Sequence, residues 1–177
     1  MTLQVCRGAH MEQQATVDGL TLAWSKDSTL QKIRQEITSL SELHAPLTVA
    51  LVDLDDFELL NKLYGAEVGD RVLKDAATRL QAVIRPSDTL GRYDGDCFLV
   101  VLPGCDVVSA KYVGERLRKA LSGVPLVLET TTHTLTASIG IVTERGAETT
   151  AETLVQRVLE AVQRAKDDGK DVVINEG

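Results

Sequence analysis

Apolar residues recur along this chain at two spacings that predict different elements. Apolar residues at every third or fourth position are typical of amphipathic helices, whereas short continuous or alternating apolar runs are typical of strands. These patterns predict helices over residues 28–43, 55–63, 70–85, 106–121 and 154–166. They predict strands over residues 47–54, 88–93, 96–102, 126–128, 134–142 and 172–174. The order, βααββαβαβ in its main part, predicts an α+β fold, a two-layer sandwich in which helices flank a mostly antiparallel sheet.

Individual residues mark several of these boundaries. Ser28 can cap the first helix, and Pro46 marks its end. The run over 47–54 is almost continuously apolar and stops at acidic residues, which predicts a central strand buried on both faces. Pro86 stops the helix whose pattern begins at Asp70.

An Asp-Gly pair between two short apolar runs predicts a β-hairpin near the middle of the chain. Asp94 and Gly95 both tolerate the positive φ that a type I′ turn requires. Charged side chains flank this turn on both sides, with Arg92 before it and Asp96 after it. The hairpin is therefore the first candidate for a functional site.

Composition narrows the classes of protein without choosing among them. The chain of 177 residues is 44% hydrophobic, enough for one domain, predicted over 18–177 behind a leader or tag remnant at 1–17. Lys and Arg total 19 against 26 for Asp and Glu, and the net charge of −7 argues against non-specific nucleic-acid binding. Neither a run of membrane-spanning length nor a signal-peptide pattern is visible, so no membrane segment is expected. The 3 cysteines lack metal-ligand spacing, which predicts a reduced, cytoplasmic setting.

The hairpin sequence resembles a family signature. Arg-Tyr-Asp-Gly-Asp-Cys-Phe at 92–98 is similar to Arg-Tyr-Gly-Gly-Asp-Glu-Phe, the signature of the GGDEF family of diguanylate cyclase domains. Further matches follow in the family's order: Asp-Leu-Asp-Asp-Phe at 53–57, Thr-Ala-Ser-Ile-Gly at 136–140 and Ala-Lys-Asp-Asp-Gly-Lys at 165–170. Asp-Gly-Leu-Thr at 18–21 is similar to the entry motif Asp-x-Leu-Thr. The resemblance covers residues 18–175 and implies a ferredoxin-like fold, the palm of nucleotidyl cyclases.

The resemblance implies a reaction and a set of metal ligands. Diguanylate cyclases join two GTP molecules into cyclic di-GMP across a head-to-head homodimer, with Mg²⁺ holding the triphosphate. Asp53, the Leu54 carbonyl and Asp96 match the family's metal ligands, and hard Mg²⁺ prefers such oxygen atoms. Asp53 and Asp96 are therefore the candidate catalytic residues. A second interpretation is structural, with Asp53 merely ending a strand and capping a helix.

Three departures from the family pattern count against turnover. Cys97 stands where the signature has Glu, and a thiol is a poor ligand for a hard metal. Glu58 stands where the family usually has a phosphate-contacting Lys. Asp94 replaces a Gly that lets the backbone approach the nucleotide. A carboxylate about 5 Å from a phosphate charge costs roughly 3 kcal/mol at an effective dielectric near 20. These changes together predict weak GTP binding and suppressed catalysis.

Four further residues match positions that contact GTP in the family. Asn61 and Asp70 match the positions that recognise guanine, and an amide and a carboxylate suit the base's donors and acceptors. Lys166 and Lys170 match phosphate contacts, although Lys170 replaces an Arg and lacks its bidentate fork. Structural alternatives stay open for both pairs: Asp70 alternatively caps the N-terminus of a helix, and the lysines alternatively do no more than favour a helix C-terminal dipole.

A second site is better preserved. Arg85-Pro-Ser-Asp88 precedes the hairpin turn at the spacing of the family's inhibitory Arg-x-x-Asp site for cyclic di-GMP. Arg116 lies at the offset of a second arginine that the family uses there. In that site an arginine fork reads guanine and phosphate, and the aspartate accepts from the base.

Three functions from different classes follow. The preferred hypothesis is a non-catalytic regulatory module that binds cyclic di-GMP through Arg85, Asp88 and Arg116 and signals to a neighbouring domain or partner. The second is an active or weakly active diguanylate cyclase that uses GTP and Mg²⁺. The third is a ligand-free domain that serves only for dimerisation or protein interaction.

Overall fold

The computed structural model describes residues 16–43, 45–128, 131–145 and 149–177, so most of the predicted leader at 1–17 lies outside the described residues. In chain order these residues form α1 (Lys26–Leu43), β1 (Leu47–Leu54), α2 (Phe57–Tyr64), α3 (Ala66–Ala82), β2 (Thr89–Asp94), β3 (Cys97–Pro103), α4 (Val107–Ser122), β4 (Leu126–Leu128), β5 (Thr131–His133), β6 (Ala137–Glu144), α5 (Ala151–Asp167) and β7 (Val173–Glu176). Within these ranges, no helix is both long enough and apolar enough to cross a membrane.

The central element is β1, which lies in the middle of a five-stranded sheet with the order β2-β3-β1-β6-β7. Neighbouring strands are antiparallel except β6 and β7, which are parallel. All 8 residues of β1 are buried, as the apolar run predicts. The predicted fold class, helices flanking a mostly antiparallel sheet, is confirmed. β4 and β5 form a separate two-stranded sheet.

Helices cover both faces of the main sheet. Side chains alternate along a strand, and Val52 and Phe98 pack in one apolar cluster with α3 and α4. Leu51 and Leu99 pack in the other cluster with α1 and α5. The sheet is therefore the middle of three layers, one more than the predicted two, because a strand buried on both faces needs helices on both sides.

The first helix begins before its predicted cap. α1 starts at Lys26, and the Ser28 N–H donates to Ser25 Oγ at 3.3 Å. Ser25 therefore provides the cap, and the prediction of Ser28 as the cap is wrong. The residues on both sides of the start of α1 are polar, so the spacing of apolar residues could not locate that start.

α3 also begins earlier than predicted, at Ala66 rather than Asp70. Gly65, with a φ of +84°, turns the chain directly from α2 into α3. Asp70 therefore lies inside the helix, and its predicted role as an N-cap is wrong. The pattern missed this first turn because Gly69 is a weak helix former and interrupts the apolar spacing.

The hairpin forms, but not with the predicted type I′ turn. Asp94 pairs with Cys97, so Gly95 and Asp96 are the loop residues. Gly95 has a φ of +42°, whereas Asp94 and Asp96 are not in the left-handed region. A bulge between Arg92 and Asp94 shifts the register, which moves the glycine into the position that needs positive φ.

The strand predicted over 134–142 begins only at Ala137, and the short strand β5 before it has no predicted counterpart. β5 ends at His133 and β6 begins at Ala137. Between them, the Thr136 carbonyl accepts a hydrogen bond from the Asp55 N–H at 2.9 Å. Leu135 is buried, so the apolar alternation continues across the break and conceals it.

Trp24 covers the outer edge of β2. Its N–H donates to the Leu90 carbonyl and its carbonyl accepts from the Arg92 N–H, both at 2.9 Å. The entry segment before α1 is therefore hydrogen-bonded to the strand that leads into the hairpin turn.

Gly140→Ala should destabilise the domain, because Gly140 lets α5 lie directly on β6. A Cβ built on Gly140 would lie 2.4 Å from the Val158 carbonyl oxygen and 2.7 Å from the Val162 nitrogen. Helix backbone cannot move aside as a side chain can, so we expect the free energy of unfolding to fall by about 2 kcal/mol or more. Urea denaturation would measure the change. Gly19→Ala, where no atom lies within 4 Å, is the control, and equal stability of the two variants would contradict the prediction.

Candidate functional site

Asp53 lies at the carboxyl end of β1, between Cys97 on β3 and Ser138 on β6. Its side chain is nearly buried, and both of its carboxylate oxygens have partners. Lys166 Nζ lies 2.8 Å from Oδ1, and the Cys97 thiol donates to Oδ2 at 3.0 Å. The register of the three central strands and the last turn of α5 together assemble this cluster.

Asp96 stands beside Asp53 on the hairpin loop. The Asp96 carbonyl accepts from the Leu54 N–H at 3.3 Å, which joins the loop to the end of β1. Burial, and then the charge of Asp53, raise the pKa of the Asp96 carboxyl above its usual value. The Asp96 carboxyl therefore resists ionisation unless a cation balances its charge.

Lys166 and Cys97 respond to this negative charge in different ways. Burial opposes the Lys166 ammonium, but the hydrogen bond and charge of Asp53 outweigh it and raise the pKa of Lys166. Burial, the hydrogen bond to Asp53 and the charges of Asp53 and Asp96 raise the pKa of the Cys97 thiol far above its usual value. At neutral pH Cys97 is therefore a neutral thiol and Lys166 is a cation.

Asp53, the first of the predicted Mg²⁺ ligands, already has two protein partners in this arrangement, and the metal role of the set stays a prediction. Mg²⁺ needs free oxygen ligands in near-octahedral geometry, whereas an ammonium and a thiol occupy the two oxygens of Asp53. Within the described ranges, no three His, Cys, Asp or Glu side chains are grouped so as to hold a metal ion. Lys166 supplies the positive charge that balances Asp53.

A cleft of about 450 Å³ opens at this end of the sheet. We call it the Asp53 cleft. Five carboxylates and three ammonium groups line it: Asp53, Asp55, Asp56, Glu58, Asp96, Lys62, Lys166 and Lys170. The lining is therefore net negative, which disfavours an unaccompanied triphosphate. Glu58 keeps its charge, because the hydrogen bond and charge of Lys62 at 2.7 Å hold the pKa of Glu58 below its usual value.

A strained loop between α5 and β7 carries Lys170 to the Asp53 cleft. Gly169, Lys170 and Asp171 have φ values of +109°, +67° and +47°, which is costly for the two non-glycine residues. Lys170 Nζ lies 2.6 Å from Asp56 Oδ1, and the Asp171 N–H donates to Asp55 Oδ2 at 3.0 Å. These contacts fix the loop to the end of β1.

Sequence reasoning assigns no role to Asp55, although this residue organises the neighbourhood. Its carboxylate also accepts from Ser138 Oγ at 2.7 Å. Arg118 on α4 extends the network, because its Nη1 donates to Asp171 Oδ2 at 2.9 Å. The position of Asp55 directly after a buried strand is a sequence signal from which a role for this residue could have been predicted. The pairing of Arg118 with Asp171 has no such signal, because the two residues are far apart in the sequence.

The two predicted guanine-recognition residues lie close to one another. Asn61 packs against Gly69, where an added Cβ would meet the Asn61 side chain, and Asp70 is the next residue of α3. Asp70 is exposed. Asn61 Oδ1 is buried, and no described residue donates a hydrogen bond to it. The structure thus brings this pair together and leaves one acceptor unsatisfied.

Arg92 braces the hairpin against the entry segment. Its Nε and Nη2 donate to the Gly95 carbonyl at 2.9 and 2.8 Å, and its Nη1 lies 3.2 Å from Asp18 Oδ1. Lys26 Nζ lies 4.1 Å from the centre of the Tyr93 ring, a cation–π contact at the same junction. Asp94 is exposed at the tip of this braced turn.

The predicted Arg-x-x-Asp site lies at the other end of the hairpin. The 6 residues of β2 separate it from the Gly95–Asp96 loop, a span of about 20 Å at ~3.3 Å per residue. Asp88 Oδ2 accepts from the Arg85 N–H at 2.8 Å, and the Asp88 N–H donates to the Arg85 carbonyl at 3.0 Å. We call residues 85–88 the Arg85 turn. The guanidinium of Arg85 is exposed and has no hydrogen bond or ion pair among the described residues.

Arg116 is exposed on α4, the helix that starts beside the Arg85 turn. Burial raises the pKa of the Cys105 thiol, and the charges of Arg85 and Asp88 also act on this thiol. Cys105 precedes α4 by two residues, so the turn and the start of the helix are neighbours. Arg116 itself forms no ion pair with Asp88 in the described part of the chain.

These observations define a class of domain before any comparison. The described residues form a mixed α/β domain in which helices flank a five-stranded sheet and carboxylates stand at the end of its central strand. The chain belongs to the GGDEF family, because the family profile described as "Diguanylate cyclase, GGDEF domain" matches residues 15–172.

Individual relatives agree with this family. The response regulator PleD of Caulobacter vibrioides is 34% identical over 131 residues, which are 73% of this chain and 29% of PleD. The chain thus spans less than a third of that relative. A structure of the diguanylate cyclase SiaD from Pseudomonas aeruginosa, in complex with its activator SiaC, has a TM-score of 0.86 and 30% identity, covering 92% of this chain and 62% of that one.

A further solved structure supports the fold alone. The GGDEF domain of DgcB from Caulobacter crescentus, in complex with c-di-GMP, has a TM-score of 0.86 and 22% identity. The match covers 94% of this chain and 98% of that chain.

Asp18→Asn should destabilise the domain at neutral pH and have less effect in acid. Burial raises the pKa of the Asp18 carboxyl, but hydrogen bonds from Thr21 and Arg92 outweigh it and leave the pKa lowered. A lowered pKa contributes stability above the ordinary value of 3.8, and this contribution is lost as the pH falls through the folded-state pKa. We expect a loss of about 1–2 kcal/mol near neutral pH.

Urea denaturation of wild type and Asp18→Asn, near neutral pH and below about pH 3, would measure the difference. The exposed Asp94→Asn is the matched control. An equal loss at both pH values would contradict the electrostatic origin of the contribution.

Proposed function

We propose that this GGDEF domain binds cyclic di-GMP at Arg85, Asp88 and Arg116 and does not synthesise it. Occupancy of this site is passed to a neighbouring domain, a partner or a second copy of the chain. The observation that carries the proposal is the contrast between the two ends of the hairpin. The guanidinium of Arg85 has no hydrogen bond or ion pair with any described residue, whereas both oxygens of Asp53 are engaged.

The Arg85 turn is suited to an anionic nucleotide. Asp88 fixes the turn through its backbone contacts with Arg85, which leaves the arginine fork free to receive a phosphate or a guanine edge. The preorganised backbone of the turn lowers the entropic cost of binding, although the Arg85 side chain itself still loses rotamer freedom.

The Asp53 cleft is poorly suited to GTP as the chain stands. A triphosphate would need the metal position, yet Lys166 pairs with Asp53 there and Cys97 supplies a neutral thiol in place of a carboxylate. Glu58 and Asp94 add further negative charge near the phosphates. On this proposal the charge balance of the cleft, rather than a change in fold, is what prevents catalysis.

Arg85→Ala should weaken binding of cyclic di-GMP about 10- to 100-fold, because charged hydrogen bonds of this kind contribute about 1.5–3 kcal/mol. Isothermal titration calorimetry with the full chain would measure the affinity. Arg71→Ala, another exposed arginine, on α3, is the matched control and should bind as wild type does. Absence of heat with wild type, or unchanged affinity in Arg85→Ala, would overturn the proposal.

A second candidate function is residual diguanylate cyclase activity. It is favoured by Asp53 and Asp96 standing together and by the unsatisfied Asn61 Oδ1, which suits a guanine donor. Incubation with GTP and Mg²⁺ should give no cyclic di-GMP under the preferred proposal. If the wild type forms cyclic di-GMP and the Asp53→Ala variant does not, the domain is a diguanylate cyclase and the preferred proposal is wrong.

Reversion of the changed residues tests the cause of inactivity. In the triple variant Cys97→Glu, Asp94→Gly and Glu58→Lys a carboxylate replaces the thiol beside Asp53, so Mn²⁺ binding should become measurable by electron paramagnetic resonance. An unchanged spectrum would show that the pairing of Lys166 with Asp53 is enough to keep the metal out. The control is the double variant Asp27→Gly and Glu67→Lys, because both residues are exposed. A cysteine control is not available at Cys105, because this residue is buried.

The third candidate, a ligand-free interaction domain, predicts no response to nucleotides. A rise in melting temperature with GTP or cyclic di-GMP would exclude it, because a ligand that binds only the folded state stabilises that state.

A further inference from the structure

α4 is a basic element in an acidic protein. It carries four basic residues and one acidic residue, although the whole chain has a net charge of −7. In each of α1, α2, α3 and α5 the basic and acidic residues are equal in number. The positive charge of the helical layer is therefore concentrated on α4, which favours an anionic ligand there.

Most of this charge is available at the surface. Arg118 is engaged, because it pairs with Glu115 and Asp171. Lys111, Arg116 and Lys119 are exposed and form no ion pair within the described ranges. Three cations on one helix repel one another, and an anionic ligand would relieve this repulsion.

An exposed aromatic ring lies on the same side of the helix. Tyr112 is 73% exposed and precedes Arg116 by four residues, which places the two side chains on one face. Val108, 70% exposed, lies one turn earlier on that face. An accessible tyrosine among unpaired cations is the combination on which nucleotide bases stack while their phosphates are held.

The position of Tyr112 along α4 relates it to the Arg85 turn. At ~1.5 Å per residue, Tyr112 lies about 6 Å from Arg116 toward the start of the helix. That start follows Cys105, on which the charges of Arg85 and Asp88 act. Tyr112 therefore lies, along the helix axis, between Arg116 and the turn.

We propose that Tyr112 is a base-stacking residue of the cyclic di-GMP site, with Lys111 and Lys119 attracting the phosphates. This inference rests on the proposed function, because it takes the same ligand and extends the site along α4. In the extended site the Tyr112 ring stacks on the face of a base, and the arginines bind the edges of the bases and the phosphates. The α4 surface formed by Val108, Tyr112 and Arg116 then contacts the ligand in the complex.

Calorimetric titration of the full chain with cyclic di-GMP tests the inference. Stacking on an aromatic side chain contributes enough that Tyr112→Ala should bind about tenfold or more weakly, while Tyr112→Phe should stay within about threefold of wild type. Val127→Ala removes an equally exposed side chain on the separate small sheet, and it should have no effect. Because Tyr112 is exposed, its loss should leave the melting temperature unchanged.

A charge series tests the role of the lysines. Lys111→Gln and Lys119→Gln should each reduce the salt dependence of the affinity, whereas Lys74→Gln on α3 should not. Proton resonances of the Tyr112 ring, assigned by their absence in Tyr112→Phe, should move upfield when the ligand is added, since a stacked purine shields the ring.

The outcomes separate the two proposals. If wild type binds no cyclic di-GMP, both the proposed function and the stacking role fail. If Arg85→Ala loses binding but Tyr112→Ala binds as wild type does, the site stands and the role of Tyr112 is overturned. Loss of affinity in Tyr112→Ala with retention in Tyr112→Phe supports the stacking role.

Discussion

Pairing of β1 with β3 and β6 is the constraint on which the rest of the structure depends. Eight buried residues with a neighbour on each edge leave β1 no freedom of register, because a slip of one residue would exchange its two faces. The same register places Asp53 opposite Cys97 and Ser138. The chemistry at the end of the strand is therefore fixed by the packing of its interior.

The β2–β3 hairpin separates two sites that can change independently. Its loop enters the Asp53 cleft, and its opposite end carries the Arg85 turn. A change at Asp94 alters charge at the exposed turn without entering either apolar cluster, whereas Cys97 packs against the cluster that holds α1 and α5. A domain of this shape can therefore change its charge at one end of the hairpin while its fold and the other end of the hairpin persist.

The sequence predicted the sheet well and the contacts of the site less well. The apolar run of β1 was sufficient to place a doubly buried strand and the acids at its end. The start of α3 and the break before β6 escaped prediction, because Gly69 interrupts one apolar pattern and Leu135 conceals the other break. The pairing of Lys166 with Asp53, and of Arg118 with Asp171, joins elements distant in sequence, so no local spacing could reveal it.

Coverage of β2 by Trp24 has a consequence for behaviour at high concentration. Its two backbone hydrogen bonds occupy the positions on either side of Gly91 that an incoming strand would need. Intermolecular sheet growth from this edge would require the entry segment to detach first. The opposite edge of the main sheet is β7, and its 4 residues offer a short template. The segment that braces the hairpin thus also protects the protein against edge-to-edge aggregation.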